Sequence, residues 1–508
     1  MKHVFCSAII VFLLFVDILL AITFGWVRQA FGGVSMEELI FHLKVPLQGT
    51  DISSFVSFFR GALLPSIGIF ALMMAVWGRM RREKRQGINH HIRWKRIVVG
   101  IWVVECVVMG HYFSMGKYFY NQITATSWLE DNAIQPDEAL LTWPEKKRNL
   151  IYIMMESMEA SFASKRDGGM YDVGLTPELT EMAKNNLSFS DQKDTLGGAF
   201  PIDGATWTMG AMFAQTSGLP LKLGIELNSM DQYSAFFPGV TTLGDLLEQA
   251  GYHNILMIGS DATFGGRRNY FTQHGNYEIN DYVWAKENGK IPKNYSVFWG
   301  FEDRRLIEMV KEKLLEVSEE DVPFNLTMLT VDSHFPDGYR CELCEKTYDA
   351  DYKDAIACSS RQIAQLVAWI QQQDFYANTT VIVTGDHLSM SAEMEKELGG
   401  YSHRRVYNCF LNAAAAPVKT QERVFTAMDM FPTTLAALGV QIEGDRLGIG
   451  TNLFGTRQTL AEELGFEPYE QEISRHSSFF DSLAYYGAVR PIGLTALCYD
   501  HLAAGCLA

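Results

Sequence analysis

Four short apolar runs in this chain each end in residues suited to metal-assisted chemistry on phosphorus or sulfur. Leu150 to Met155 (LIYIMM) runs into Glu156, and Ile255 to Ile258 into Gly259, Ser260 and Asp261. Leu326 to Val331 leads to Asp332, Ser333 and His334, and Thr380 to Thr384 (TVIVT) to Gly385, Asp386 and His387. Carboxylates and an imidazole delivered from separate elements form a set that holds a divalent cation with a coordination position left open. Singly, each has an ordinary structural explanation, since an Asp after a strand commonly caps a helix or stabilises a turn. A fifth segment, Phe200 to Leu221, places Gly204 in a tight loop and opens a helix at Thr208 that closes near Ser217-Gly218. A hydroxyl at a helix N-terminus sits where backbone N–H groups and the helix dipole favour an anion. A metal beside it would lower its pKa and make it a nucleophile. Spacing alone leaves Thr208 open between that role and a simple helix cap.

The elements that must position these residues read as strands alternating with helices. The four runs are short and continuously apolar, as in strands buried on both faces of a parallel sheet. Thr241 to Ala250 and Ser359 to Gln373 carry helical spacing between them. That alternation predicts an α/β domain with a mostly parallel central sheet flanked by helices, and in open α/β sheets ligands bind at the carboxyl ends of the strands.

The N-terminal quarter reads differently. Val4 to Trp26, Gly61 to Gly78 and Ile97 to about Phe113 are apolar runs long enough for a hydrocarbon core of about 30 Å. A cleaved signal peptide competes for the first run, but that run exceeds the usual h-region and further spans follow it. Between the second and third runs, Arg79 to Arg96 contains eight basic residues and one acid, Glu83, for +7 within a chain of net charge −16. Short Lys/Arg-rich loops stay cytoplasmic, which predicts a cytoplasmic N-terminus and an exported remainder. The expected organisation is a membrane domain over 1–120 with transmembrane helices near 4–26, 61–78 and 97–115, a connector over 121–148, a catalytic domain over 149–453 and a C-terminal extension over 454–508. The 48% hydrophobic and 12% aromatic content of the 508 residues excludes a disordered chain. The acidic remainder excludes a general nucleic-acid binder.

Six cysteines fall in the part expected to be exported: Cys341, Cys344, Cys358, Cys409, Cys498 and Cys506. An oxidising compartment favours disulfides. Cys341 and Cys344 form C-x-x-C, yet no second C-x-x-C and no H-x₃₋₅-H completes a zinc pattern, so a structural disulfide to Cys358 is the expectation.

The segments N-L-I-Y-I-M-M-E156-S, Thr208 with its trailing S-G-L-P-L, T-V-D-S-H334-F-P-D-G and V-T-G-D386-H387-L-S-M occur in the order seen in a known family. With them the chain resembles the membrane phosphoglycerol transferases of the alkaline phosphatase/sulfatase superfamily, and more distantly the lipoteichoic acid synthases. The likeness runs from about Asn149 to Leu453. It implies that N-terminal transmembrane helices precede an alkaline phosphatase/sulfatase-like domain. Glu156, Thr208, Asp386 and His387 match metal ligands, Thr208 also being the nucleophile. His334 matches a catalytic and substrate-binding histidine, and Arg267 a basic residue facing the phosphate, with Arg268 its rival in register. Thr206 is a rival to Thr208, and the T-x-x-G/A-M-x-A spacing favours the latter. Cys344 and Cys358 match a disulfide pair, Cys341 being extra.

The resemblance further implies one divalent metal ion, Mn²⁺ or Mg²⁺ with Zn²⁺ as an alternative. It implies a phosphatidylglycerol donor, a glycan or teichoic-acid-like acceptor, and a multi-pass location in a bacterial cytoplasmic membrane with the catalytic domain outside. The related alternatives are a phosphoethanolamine transferase and a polyglycerolphosphate synthase. The non-enzymatic one is a catalytically inactive, membrane-anchored sensor. A sulfatase with a formylglycine nucleophile is disfavoured, because Thr208-Met-Gly-Ala lacks the C/S-x-P-x-R pattern.

Overall fold

The computed structural model describes residues 2–30, 36, 38–40, 48, 50, 52–86, 94–222, 236–399 and 403–485. A six-stranded sheet is its centre. The strands are β1 (Asn149–Met155), β2 (His253–Ile258), β3 (Glu278–Asn280), β4 (Phe324–Leu329), β5 (Thr379–Gly385) and β6 (Asn408–Leu411). They lie in the order β3-β2-β4-β1-β5-β6, parallel throughout except for β6, which runs antiparallel to β5 at one edge.

All four apolar runs form strands, and they occupy the four central positions. Their continuous apolarity has a direct cause, since alternate side chains of β1 point into two different cores. Leu150, Tyr152 and Met154 pack with Met212, Phe213 and Phe431 on one face, and Ile151, Ile153 and Met155 with Leu314, Ile363 and Leu366 on the other. The two edge strands escaped the sequence reading because they are short and neither shows the long apolar run of a doubly buried strand. Leu326 to Val331 also ends earlier than expected, at Leu329, so Thr330 to His334 forms a loop above the sheet rather than its last residues.

In the N-terminal region, α1 (Lys2–Ala30), α2 (Leu64–Arg85) and α3 (Trp94–Tyr112) follow the three apolar runs. Two stretches, Val11–Gln29 and Phe55–Met80, are helical, long and apolar enough to cross a membrane. The expected third span differs from that picture: the helix carrying Val99–Tyr112 breaks and turns by 68° into α4 (Met115–Ile123). The break falls at Ser114, in a left-handed conformation with φ of 49°. Within the basic stretch, Gly87 to Arg93 lie outside the described residues.

The connector over 121–148 is stitched to the domain it precedes. Leu141–Thr142 pairs antiparallel with Gln441–Ile442, and Ile134 bridges Gly448. The segment after residue 453 packs back too, with Phe480 against Phe237 and the Lys222 ammonium donating to the carbonyls of Ile473 (2.6 Å) and Arg475 (2.7 Å). Residues 486–508, including Cys498 and Cys506, lie outside the described residues.

The central strand predicts its own sensitivity. Ile153 is fully buried in the densest part of the sheet, so Ile153→Ala should cost about 2–5 kcal/mol. Circular dichroism of the detergent-solubilised protein should show a lower thermal midpoint, and an unchanged midpoint would contradict the packing described.

Candidate active site

The loops leaving β1 and β5 lie side by side, because those strands are hydrogen-bonded neighbours from Asn149↔Thr379 to Met155↔Gly385. Gly385 ends β5 where no other residue fits: a Cβ there would collide with the Met158 carbonyl oxygen. Glu156 and Asp386 therefore emerge one residue beyond a matched pair of strand ends.

Their orientation is fixed by hydrogen bonds. The Ser157 and His387 amides donate to Asp386 Oδ1 at 2.8 and 2.7 Å. Ser157 Oγ donates to Glu156 Oε1 at 2.7 Å, and the Glu156 amide donates to Thr330 Oγ1 at 2.9 Å. His387 Nδ1 donates to the Leu388 carbonyl at 2.7 Å, which places the proton on that nitrogen and leaves a lone pair on Nε2.

What these restraints bring together is a cluster of electron pairs. His387 Nε2 lies 3.6 Å from Glu156 Oε1 and 3.4 Å from Asp386 Oδ2. Asp386 Oδ2 is buried and has no hydrogen-bond partner. All three residues are buried, with one ligand atom of each within 4.8 Å of the others. An orphaned carboxylate oxygen beside a second carboxylate and an imidazole lone pair is a costly arrangement without a cation and a good one with it. The donor set fits a divalent metal ion.

The ionisation of the cluster reflects the same crowding. Burial, reinforced by the Glu156 charge, pushes Asp386 up to about 7. Burial pushes Glu156 upward too, but the charges of His334 and His387 and hydrogen bonds from Ser157 and Thr208 hold it below its ordinary value. For His387, burial disfavours the charged ring, and the carboxylates of Asp386 and Glu156 outweigh it, so its pKa is raised.

Thr208 is the first residue of α5 (Thr208–Ser217), and the N-cap is Trp207. The alternative that Thr208 is merely the cap is thus not what the helix shows. Its Oγ1 lies 3.3 Å from Glu156 Oε2 and 3.3 Å from His387 Nε2. Gly204, with φ of +83°, makes the turn that feeds the helix, as the tight-loop expectation required. Thr206 lacks comparable partners: its hydroxyl is buried without a hydrogen bond.

Arg267 is buried at the start of α6 (Arg267–Gln273), donating to Ser260 Oγ (3.3 Å) and the Asp261 carbonyl (3.0 Å). Burial lowers its pKa to about 10 against the charges of Glu156, Asp261, Asp281 and Asp386, which places it within the field of the cluster. Arg268 is instead paired with Asp281 and reaches toward Asp261 at 3.7 Å. His334 is half-buried between Trp299, with ring centroids 4.6 Å apart, and Phe335, at 4.7 Å. Burial lowers its pKa, and the nearby charges of Glu156, His387 and Arg267 act on it.

Several positioning residues gave little signal in the sequence. Gln215, a single amide in an apolar helix, accepts from Tyr152 OH (2.8 Å) and donates to the Gly385 carbonyl (3.0 Å), tying α5 to the end of β5. Asp303, the first residue of α7 (Asp303–Val317), accepts from the amides of Val331 (2.7 Å) and Asp332 (3.1 Å), which shapes the loop bearing His334. Glu159 and Arg404 form a fully buried ion pair, and both hold Ser389: its amide donates to Glu159 Oε1 at 2.8 Å and its carbonyl accepts from Arg404 Nη2 at 2.8 Å. The cysteines implied as a disulfide, Cys344 and Cys358, are unbonded. They sit with Cys341 in one group of thiols.

With that geometry in hand, the comparisons are direct. The family model described as Sulfatase matches residues 148–440. The chain belongs to the sulfatase family. Among curated members, "Phosphoglycerol transferase I" of Xanthomonas axonopodis pv. citri (strain 306) is 28% identical over 437 residues, covering 84% of this chain and 59% of that protein. "Phosphoglycerol transferase I" of Salmonella choleraesuis (strain SC-B67) is 27% identical over 437 residues, covering 84% of this chain and 54% of that protein. This sulfatase-family chain therefore spans a little over half the length of those relatives. A solved structure, the lipoteichoic acid synthase LtaP from Listeria monocytogenes, superposes with a TM-score of 0.49 at 16% identity, over 65% of this chain and 82% of that one.

The ion pair beneath the site supplies a test. Arg404→Met leaves Glu159 charged and buried without its partner, at an expected cost of about 3–5 kcal/mol. Thermal melting should report that loss, and Mn²⁺ titration by calorimetry should show weakened binding as the 386–389 loop loosens. Unchanged Mn²⁺ affinity in a variant of normal stability would separate this ion pair from the site.

Proposed function

We propose that the chain is a metal-dependent phosphotransferase that moves phosphoglycerol from phosphatidylglycerol to a glycan or other cell-envelope acceptor, releasing diacylglycerol. The observation that carries this reading is the Thr208 hydroxyl 3.3 Å from both a buried carboxylate and the free nitrogen of a buried imidazole, at the first turn of a helix. Glu156, Asp386 and His387 would hold the cation, with Thr208 beside it. A divalent ion bound there supplies Lewis-acid stabilisation of charge on the phosphoryl oxygens and on the threonine oxygen.

In the first half-reaction, Thr208 Oγ1 attacks phosphorus while its proton leaves to a neighbouring base. The bond to the diacylglycerol oxygen breaks and that oxygen takes up a proton; His334, neutral with its Nδ1–H donating to the Phe335 carbonyl, would carry it by first accepting a proton on Nε2. The product on the protein is a phosphoglycerol ester of Thr208. In the second half, an acceptor hydroxyl gives its proton to the same base as its oxygen attacks phosphorus, the bond between phosphorus and Thr208 Oγ1 breaks, and that proton restores the Thr208 hydroxyl. Arg267, held by Ser260 Oγ and the Asp261 carbonyl at the edge of the cluster, favours the anionic phosphoryl group in both halves. The apolar N-terminal helices fit a donor that resides in a bilayer. A location in a bacterial cytoplasmic membrane, crossed more than once, with the catalytic domain outside, belongs to the same reading.

Two measurements test it. Thr208→Ala should reduce diacylglycerol release from labelled phosphatidylglycerol by roughly a thousandfold or more, and mass spectrometry of the unmodified protein should find a phosphoglycerol adduct on Thr208. Release at the wild-type rate by the variant would remove the nucleophile assignment. Chelation with EDTA should abolish turnover and added Mn²⁺ should restore it; EDTA-resistant turnover would remove the metal. Faster release from phosphatidylethanolamine would reassign the donor.

A further inference from the structure

Outside the site just described, one cluster of metal-ligating side chains stands apart. Cys341 and Cys344 lie in the loop after the His334 segment, and Cys358 lies on α8 (Asp351–Ile370), which follows it. The three sulfurs are mutually within 4.8 Å, with Cys341 Sγ 3.6 Å from Cys344 Sγ and 4.0 Å from Cys358 Sγ. A disulfide requires sulfurs about 2.05 Å apart. Thiolates sharing one tetrahedral zinc ion at about 2.3 Å per bond stand roughly 3.8 Å apart. The observed separations match the second case.

Several hydrogen-bond donors lie against the sulfurs, although the buried carboxylates of Asp303 and Asp332 also lie within the field of Cys341. The backbone N–H groups of Leu343 and Cys344 face Cys341 Sγ, within a turn closed by the Cys344 amide donating to the Cys341 carbonyl at 3.0 Å. Gln362 Nε2 donates to Cys358 Sγ at 3.4 Å and lies 3.8 Å from Cys341 Sγ, while Arg361 Nη2 lies 3.8 Å from Cys358 Sγ. Cys358, Arg361 and Gln362 share one face of α8 by their i, i+3 and i+4 spacing. These donors favour the thiolate at Cys341, while crowding among the sulfurs pushes the Cys344 and Cys358 thiols up, a crowding that a shared cation would relieve. Thiolates are the form that ligates metal; a disulfide has no charge for these donors to stabilise. Cys341 and Cys358 are buried and Cys344 is half-buried, so the cluster is enclosed on two sides and open at the third.

We propose that Cys341, Cys344 and Cys358 form a second metal site, a three-thiolate centre for a thiophilic divalent cation such as Zn²⁺, separate from the Glu156–Asp386–His387 cluster. Cys341, the residue that a simple disulfide reading leaves over, becomes the central ligand. The ion would join the loop that follows His334 to α8.

The test uses the full chain carrying Glu156→Gln and Asp386→Asn, so that the first site is disabled, purified under reductant and stripped with EDTA. Zn²⁺ alone is the probe. The expected result is one tightly held equivalent of zinc by elemental analysis, lost on adding Cys358→Ser. Because that serine variant can fail to fold, Co²⁺ is also loaded into the protein with all three cysteines intact, where sulfur ligation gives thiolate-to-cobalt charge-transfer absorption. Absence of both the zinc equivalent and that absorption, with Cys341, Cys344 and Cys358 each found alkylated by peptide mass spectrometry, overturns the proposal. So does a disulfide among these cysteines, found by mass spectrometry in protein isolated without reductant from the compartment where it resides.

Discussion

The structure turns on the repulsion of two buried carboxylates that face one imidazole nitrogen. Asp386 Oδ2, Glu156 Oε1 and His387 Nε2 each point lone-pair density at the same small volume. None of the three turns away freely, because each is tied down: Asp386 Oδ1 by two amides, Glu156 Oε1 itself by the Ser157 hydroxyl, and His387 Nδ1 by a carbonyl. Folding alone gains nothing from such an arrangement, since desolvated like charges are destabilising unless paired. A cation placed among them would reverse the sign of that cost.

Everything near the cluster can be read as the restraint that keeps those groups facing inward. The parallel pairing of β1 and β5 sets the two loops in register, and Gly385 lets them touch. Gln215 locks the Thr208 helix to the end of β5, and the Glu159–Arg404 pair clamps the loop after His387 through both polar groups of the Ser389 backbone. These contacts lie between elements distant in sequence, up to 245 residues apart for Glu159 and Arg404. That is why rigidity at the site depends on the whole sheet rather than on any local motif.

The same distinction explains what could be read from residues alone. The four central strands were legible because both of their faces are buried and each therefore writes an unbroken apolar run. The residues after them were legible because an α/β sheet gathers strand ends on one rim. The edge strands, half-hidden by their brevity, left no such trace. Nor did the partners of Ser389 or the role of Gln215, for an isolated glutamine, glutamate or arginine acquires meaning only through what the fold sets opposite it. The bend at Ser114 was equally silent, since hydropathy records how apolar a segment is and not where its axis turns. The cysteines lie between these cases: the sequence led to Cys358 beside Cys341 and Cys344 as a disulfide partner, and the fold shows the three sulfurs together and unbonded.

The connector and the C-terminal helices have a further consequence. The Thr126 amide donates to the His476 carbonyl at 2.9 Å and the His476 amide to the Asn121 carbonyl at 3.0 Å. The segment descending from the apolar helices is thereby gripped by helices that come hundreds of residues later. A domain hung on a single free strand would tumble over the bilayer and sample every tilt. One fastened at two levels behaves as a bracket, so that the rim of the sheet keeps a fixed height and heading relative to the apolar helices.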